Sequence, residues 1–120
     1  MTYLYIFIGG GLGSLARYLT SKLALRIVST DFPLGTLIAN IIACILLALF
    51  VVLFTNKQAE FEWIQPLLIV GFCGGYSTFS TFSNETFLLL DNGQTFMAIL
   101  NVLISVTVGV GLIFLIRSRA

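Results

Sequence analysis

Apolar residues run almost unbroken through four stretches of the chain, at about 3–26, 33–54, 63–90 and 95–116. Short polar segments separate them. Ser29, Thr30, Asp31 and Pro33 mark the first turn, residues 55–62 the second, and Asp91, Asn92, Gly93 and Gln94 the third. Each stretch reaches the roughly 20 residues that cross a bilayer. The pattern therefore predicts an all-α membrane protein with four transmembrane helices in a single domain, residues 1–120. Trp63 opens the third stretch, at the interfacial depth where Trp is favoured.

The third stretch is longer than one crossing requires, and its middle does not suit a regular helix. Gly71-Phe72-Cys73-Gly74-Gly75-Tyr76-Ser77-Thr78-Phe79-Ser80-Thr81-Phe82-Ser83-Asn84-Glu85 sets a glycine pair ahead of hydroxyl residues interleaved with Phe. Glycine is flexible, and Ser and Thr compete for backbone hydrogen bonds. The excess length fits two half-helices joined near Gly74–Thr78. In lipid such a break survives only where protein or a water-filled cavity satisfies the freed groups. It therefore points to a site, or to a kinked helix packed on small residues.

Composition narrows the chemistry. The chain is 58% hydrophobic and 9% charged, with mean hydropathy +1.06. A net charge of +1 gives no reason to expect nucleic acid. His is absent, which removes the commonest general base and metal ligand, and no nucleophile–base constellation suggests an enzyme. Cys44 and Cys73 fall mid-span, without metal-ligand or disulfide spacing. The N-terminus lacks a basic leader and reads as the first span.

The polar residues inside the spans are few. Gly9, Gly13 and Ala16 share a helix face and permit close helix approach. The glycine run resembles a phosphate-binding loop only weakly, because no strand precedes it. Arg17 either snorkels or provides a fixed charge at a pore mouth. Thr36 and Asn40 are one turn apart in span two. The Asn40 amide either joins helices or offers two N–H groups to an anion. Asn101, Ser105 and Gly109 share a face of span four.

With four spans, Lys57, Arg117 and Arg119 lie on one side of the membrane and Arg17, Lys22 and Arg26 near the other. The positive-inside rule gives no orientation from such a balance. One explanation is dual topology, in which the chain inserts both ways and pairs antiparallel with itself.

The segments 9–18 (Gly-Gly-Gly-Leu-Gly-Ser-Leu-Ala-Arg-Tyr), 33–40 (Pro-Leu-Gly-Thr-Leu-Ile-Ala-Asn) and 71–85 resemble, in order and spacing, the three signatures of the Fluc (CrcB-type) fluoride channels. The resemblance spans nearly the whole chain, and the third motif is highly specific. It implies an antiparallel dual-topology homodimer in the microbial inner membrane, with two fluoride pores and a central structural sodium ion, exporting toxic fluoride passively. By resemblance Asn40 is the pore amide and Phe79 and Phe82 the pore aromatics. Ser80, Thr81 and Ser105 are pore hydroxyls, and Thr36 is grouped with them. Backbone carbonyls of Gly74 and Ser77 are the sodium donors. Arg17 and Glu85 match the family's charged positions. This chain has Asn101 where the family commonly has Tyr, Ala43 in place of a glycine, and Ser77 in place of a Thr.

The expected mechanism follows from fluoride's small size and tight hydration. A pore must replace lost water with donors. Neutral N–H and O–H groups do this without trapping the ion, and the positive edges of Phe rings add to them. Two alternatives stand beside this reading. One is a dual-topology antiporter using Glu85 as a proton-coupled carboxylate. The other is a structural subunit in which the polar residues only bind helices together.

Overall fold

The computed structural model describes residues 1–57 and 59–120, and among them all regular structure is helical. Gln58, in the polar 55–62 loop, lies outside the described residues. Helix α1 spans Thr2–Ile27 and α2 spans Leu34–Phe54. The third span is two half-helices. The first, α3, is π-helical over Gln65–Cys73 and closes with an α turn over Gly74–Tyr76. The second, α4, spans Phe79–Asp91. Helix α5 spans Thr95–Ser118. The expected spans are matched to within two residues at most ends, and the expected break falls at Ser77 and Thr78.

Two helices, α2 and α5, are long and apolar enough to cross a membrane by themselves, with mean hydropathies of 3.1 and 2.6 over their most apolar windows. Helices this apolar would be buried in a soluble protein. Here only 22% and 11% of those windows are buried, so most of their surface meets something other than this chain. The other two passes were expected to read the same way and do not. Glycines and Arg17 dilute α1, and the break leaves neither α3 nor α4 long enough.

Helix α1 packs most extensively on α3, and α2 on α5. The α1–α3 seam is made by missing side chains. A Cβ at Gly13 would lie 2.8 Å from the Tyr76 nitrogen, and one at Gly9 2.9 Å from the Phe72 nitrogen. From the other side, a Cβ at Gly71 would lie 3.0 Å from the Gly9 Cα, and one at Gly75 3.0 Å from the Gly10 Cα. The backbones therefore touch, as small residues permit between membrane helices. This contact accounts for the glycine run that superficially resembled a phosphate loop. Beside the seam, Ala39, Ala43 and Tyr76 form a buried cluster with Ala16, Ile42 and Phe72 against it. Phe72 and Tyr76 stack with centroids 5.8 Å apart, and the Tyr76 hydroxyl is 2.6 Å from the Thr20 hydroxyl. Ala43 is 3% exposed. Its methyl is part of the core.

Helix α4 ends on Gly93, whose φ of +77° is the left-handed conformation that glycine adopts without strain. The Gln94 N–H donates to the Leu89 carbonyl (2.8 Å) and the Gly93 N–H to the Leu90 carbonyl (3.1 Å). These paired bonds satisfy the last turn and send the chain straight back into α5.

Candidate functional site: a helix break held by an amide

The break is local chemistry first. The Ser77 hydroxyl and N–H both donate to the Cys73 carbonyl, each at 3.0 Å, and so close α3. Ser77 and Thr78 then turn extended, with ψ of 156° and 124°. The Thr78 hydroxyl accepts the Thr81 N–H at 3.2 Å, which makes Thr78 the N-cap of α4.

Tertiary structure completes it. The Asn40 side chain on α2 pairs with the Thr78 peptide in both directions. Thr78 N–H donates to Asn40 Oδ1 at 2.8 Å, and Asn40 Nδ2 donates to the Thr78 carbonyl at 3.2 Å. The sequence offered two amide N–H groups to an anion. The structure commits one to the break and leaves one. Asn40 therefore does join elements, and it also holds a free donor at the start of a half-helix.

The other expected pore residues gather on α4 and its neighbours. Phe79 and Phe82 have ring centroids 5.9 Å apart with planes tilted by 41°, and Phe79 is 79% exposed on the single chain. Ser80 is exposed, with its hydroxyl 3.4 Å from that of Thr78, and Thr81 is half-buried. The Thr36 hydroxyl donates to Glu85 Oε1 at 2.6 Å, while Glu85 Oε2 is buried with no partner among the described residues. Thr36, Thr81 and Glu85 line a cleft of about 680 Å³ that opens between the 28–33 loop and the α4–α5 turn. At its mouth Gln94 Nε2 donates to Asp31 Oδ2 at 3.1 Å.

Some expected residues are not brought to this cluster. Arg17 is half-buried on α1, does not line the cleft and makes no ion pair with Glu85. Ser105 is half-buried and turned toward Asn101, with its hydroxyl 3.5 Å from Asn101 Oδ1. Gly74 is exposed, and a Cβ there would meet nothing within 4 Å.

Three residues carry more of the site than their sequence context suggested. Thr78 is both cap and anchor. A signal was available, since a Thr three residues before a donor at the head of a helix is a common N-cap. Asn101, 1% exposed, donates from Nδ2 to the Thr86 hydroxyl at 2.9 Å. Nothing in the sequence marked Thr86 as its partner.

Comparison with known proteins finds relatives over almost the whole chain. The family described as "CrcB-like protein, Camphor Resistance (CrcB)" matches residues 4–116. A protein of Pyrococcus abyssi is 50% identical over 115 residues, covering 95% of this chain and 91% of the relative. One from Flavobacterium psychrophilum is 44% identical over 108 residues, covering 90% and 87%. One from Coxiella burnetii strain CbuK_Q154 is 45% identical over 107 residues, covering 88% and 86%. Each of these relatives is named a fluoride-specific ion channel. The family is one of channels, which are transporters and not enzymes, and its apolar helices are those of a membrane protein. With both the glycine seam and the broken third span inside the matched length, the chain belongs to the CrcB family.

Proposed function

We propose that residues 1–120 form one channel domain that carries fluoride passively across the bacterial inner membrane and so relieves fluoride toxicity. The relatives' names supply the ion. The observation that carries the reading for this chain is the head of α4, where a half-helix begins among apolar spans beside an aromatic pair. Thr78 caps one of the first N–H groups, that of Thr81, and the first turn keeps the partial positive charge of a helix N-terminus. That end favours an anion, as half-helix ends do in membrane transporters.

Fluoride would pass along Asn40, Phe79, Ser80, Thr81 and Phe82, with Thr36 and Ser105, whose hydroxyl protons go to Glu85 and Asn101, beside the path and Arg17 and Glu85 as charged groups toward the ends. The remaining Asn40 N–H and the Ser80 and Thr81 hydroxyls replace part of the ion's water. The ring edges of Phe79 and Phe82 add a weak attraction that does not hold the ion. A narrow lining of this kind suits fluoride and rejects the larger chloride.

The second element is assembly. Phe79, Ser80, Ser83, Asn84 and Gly74 are exposed on the single chain. Hydroxyls and an amide at this depth face protein or water, not lipid. An antiparallel homodimer with two pores would cover them, and the near-equal basic residues on the two sides support it. The break also fits a structural sodium ion. No backbone N–H reaches the Ser77 carbonyl among the described residues. Carbonyl oxygens are the hard donors such a cation takes, and Gly74 and Ser77 from each of two chains would hold it. The ion would supply fixed positive charge to the interior.

The test is fluoride efflux from liposomes holding the purified protein, with chloride as control and C-terminal reporters for each compartment. Fluoride release without chloride release, with reporter signal from both sides, is the expected result. The antiporter reading would instead require transport driven by a proton gradient and lost in Glu85→Gln. The relatives' names give it no support.

A further inference from the structure

Helix α4 carries the aromatic pair, yet Leu89 near its far end is its only buried residue. Apolar packing does little to fix it, and polar contacts do most of the holding. The Asn40–Thr78 pair holds the hinge end. From α2, Thr36 grips Glu85. From α5, Asn101 grips Thr86, the next residue and so about 100° further round the helix.

This last contact forms a string. The Ser105 hydroxyl donates to Asn101 Oδ1 (3.5 Å), Asn101 Nδ2 donates to the Thr86 hydroxyl (2.9 Å), and the Thr86 hydroxyl donates to the Phe82 carbonyl (2.8 Å). Every donor points toward Phe82. Asn101 is the largest side chain buried to this degree among the described residues. Burying an amide is costly unless it is hydrogen-bonded, so its position here is a commitment of the fold.

We propose that Asn101, acting through Thr86, is the positioning residue that fixes the rotation of α4 about its Ser77–Thr78 hinge, and with it the Phe79–Phe82 pair and the discrimination between fluoride and chloride. Thr86 is eight residues from Thr78, about 12 Å along the axis at 1.5 Å per residue. A helix pinned only at its hinge can swing. Grips at Glu85 and Thr86 from two sides prevent this. Thr86 is also one turn beyond Phe82 on the same face, so any movement at Thr86 carries the ring with it. Asn101 need not touch the ion to govern what passes.

The inference rests on the fluoride reading above, and its test separates the two. Full-length wild type, Asn101→Leu, Thr86→Val, the double variant and Thr86→Ser are assayed in liposomes for fluoride and chloride efflux. Fluorine NMR of a fluorophenylalanine placed at position 82 reports the ring independently of transport. Asn101→Leu and Thr86→Val should each lower the fluoride-to-chloride ratio roughly five-fold, the size of one lost hydrogen bond. Both should also shift or broaden the ring resonance. The double variant should be no worse than either single one, because the two residues act as a unit. Thr86→Ser keeps the hydroxyl and should keep both readouts. If wild type carries no fluoride, the functional reading falls, and the ring resonance alone decides the positioning role. If Asn101→Leu does not assemble, Thr86→Val and Thr86→Ser decide it. An unchanged ring resonance in Asn101→Leu or Thr86→Val, or effects that add in the double variant, overturn the proposal.

Discussion

The α1–α3 seam and the α4 half-helix are held by opposite means. At the seam, Gly9, Gly13, Gly71 and Gly75 remove side chains so that backbone meets backbone. Little there can shift without a clash, and the Thr20–Tyr76 hydroxyl contact lies beside the backbone contact, not within it. In α4, one buried leucine and a few hydrogen bonds locate a helix whose Phe79 faces outward from the single chain. Dispersion over a close-packed seam is insensitive to small changes in charge but intolerant of added volume. Hydrogen-bonded placement is the reverse. It tolerates a methyl and fails when a donor is lost. The seam is rigid scaffold, and the half held by polar contacts carries the residues of the proposed pathway.

The largest effect should come from charge on the polar half. Asn40→Asp keeps the size and the acceptor for Thr78 N–H, but loses the bond to the Thr78 carbonyl and adds a negative charge beside the path. At an effective dielectric near 20, a charge 4 Å from the ion costs about 4 kcal/mol, so fluoride efflux should fall roughly a thousand-fold. The variant should still elute as the native assembly from a sizing column. Wild-type efflux would show that Asn40 only joins helices.

Volume at the seam comes next. Gly13→Ala puts a methyl against the backbone of Phe72 and Tyr76, which a side-chain rotation cannot relieve. Stability should fall by about 3 kcal/mol, the upper end for overpacking. Thermal unfolding in detergent measures it, and an unchanged midpoint would mean that the seam is looser than its glycines imply.

A smaller change tests the rings. Phe82→Ile, and separately Phe79→Ile, keep bulk and apolarity while removing the positive ring edge. Each should slow fluoride efflux by about three- to ten-fold, the equivalent of one aromatic contact, without altering unfolding. Equal rates in both variants and wild type would assign the rings to packing.

Gly11→Ala is the control for the seam and the smallest effect. Gly11 shares the glycine run with Gly9 and Gly13, but a Cβ there meets nothing within 4 Å. The substitution should raise stability by about 0.5–1 kcal/mol through helix propensity alone, read from the same unfolding curves. A loss as large as that at Gly13 would mean this face is also covered, as it would be by a second copy.

Much of this architecture was determined by sequence alone. Four apolar stretches, their turns and the break in the third are local properties, written in hydropathy, in Gly93, and in Ser77 and Thr78. The family resemblance, carried by three motifs in order, was equally legible. The partners of the polar residues were not. Asn40 faces Thr78 only because α2 crosses the break. Glu85 meets Thr36 across 49 positions and Thr86 meets Asn101 across 15, pairings that no periodicity encodes. Helix-face arguments say which residues share a side. They do not say which neighbour lies opposite, since that depends on crossing angle and axial offset, set here by the glycine seam and the Gly93 turn. Sequence therefore determined where the helices run and which residues are polar. Tertiary structure decided that one N–H of Asn40 is already committed, that Arg17 and Glu85 form no ion pair, and that Asn101 meets Thr86 on α4, because a buried polar group takes whatever partner packing brings within reach.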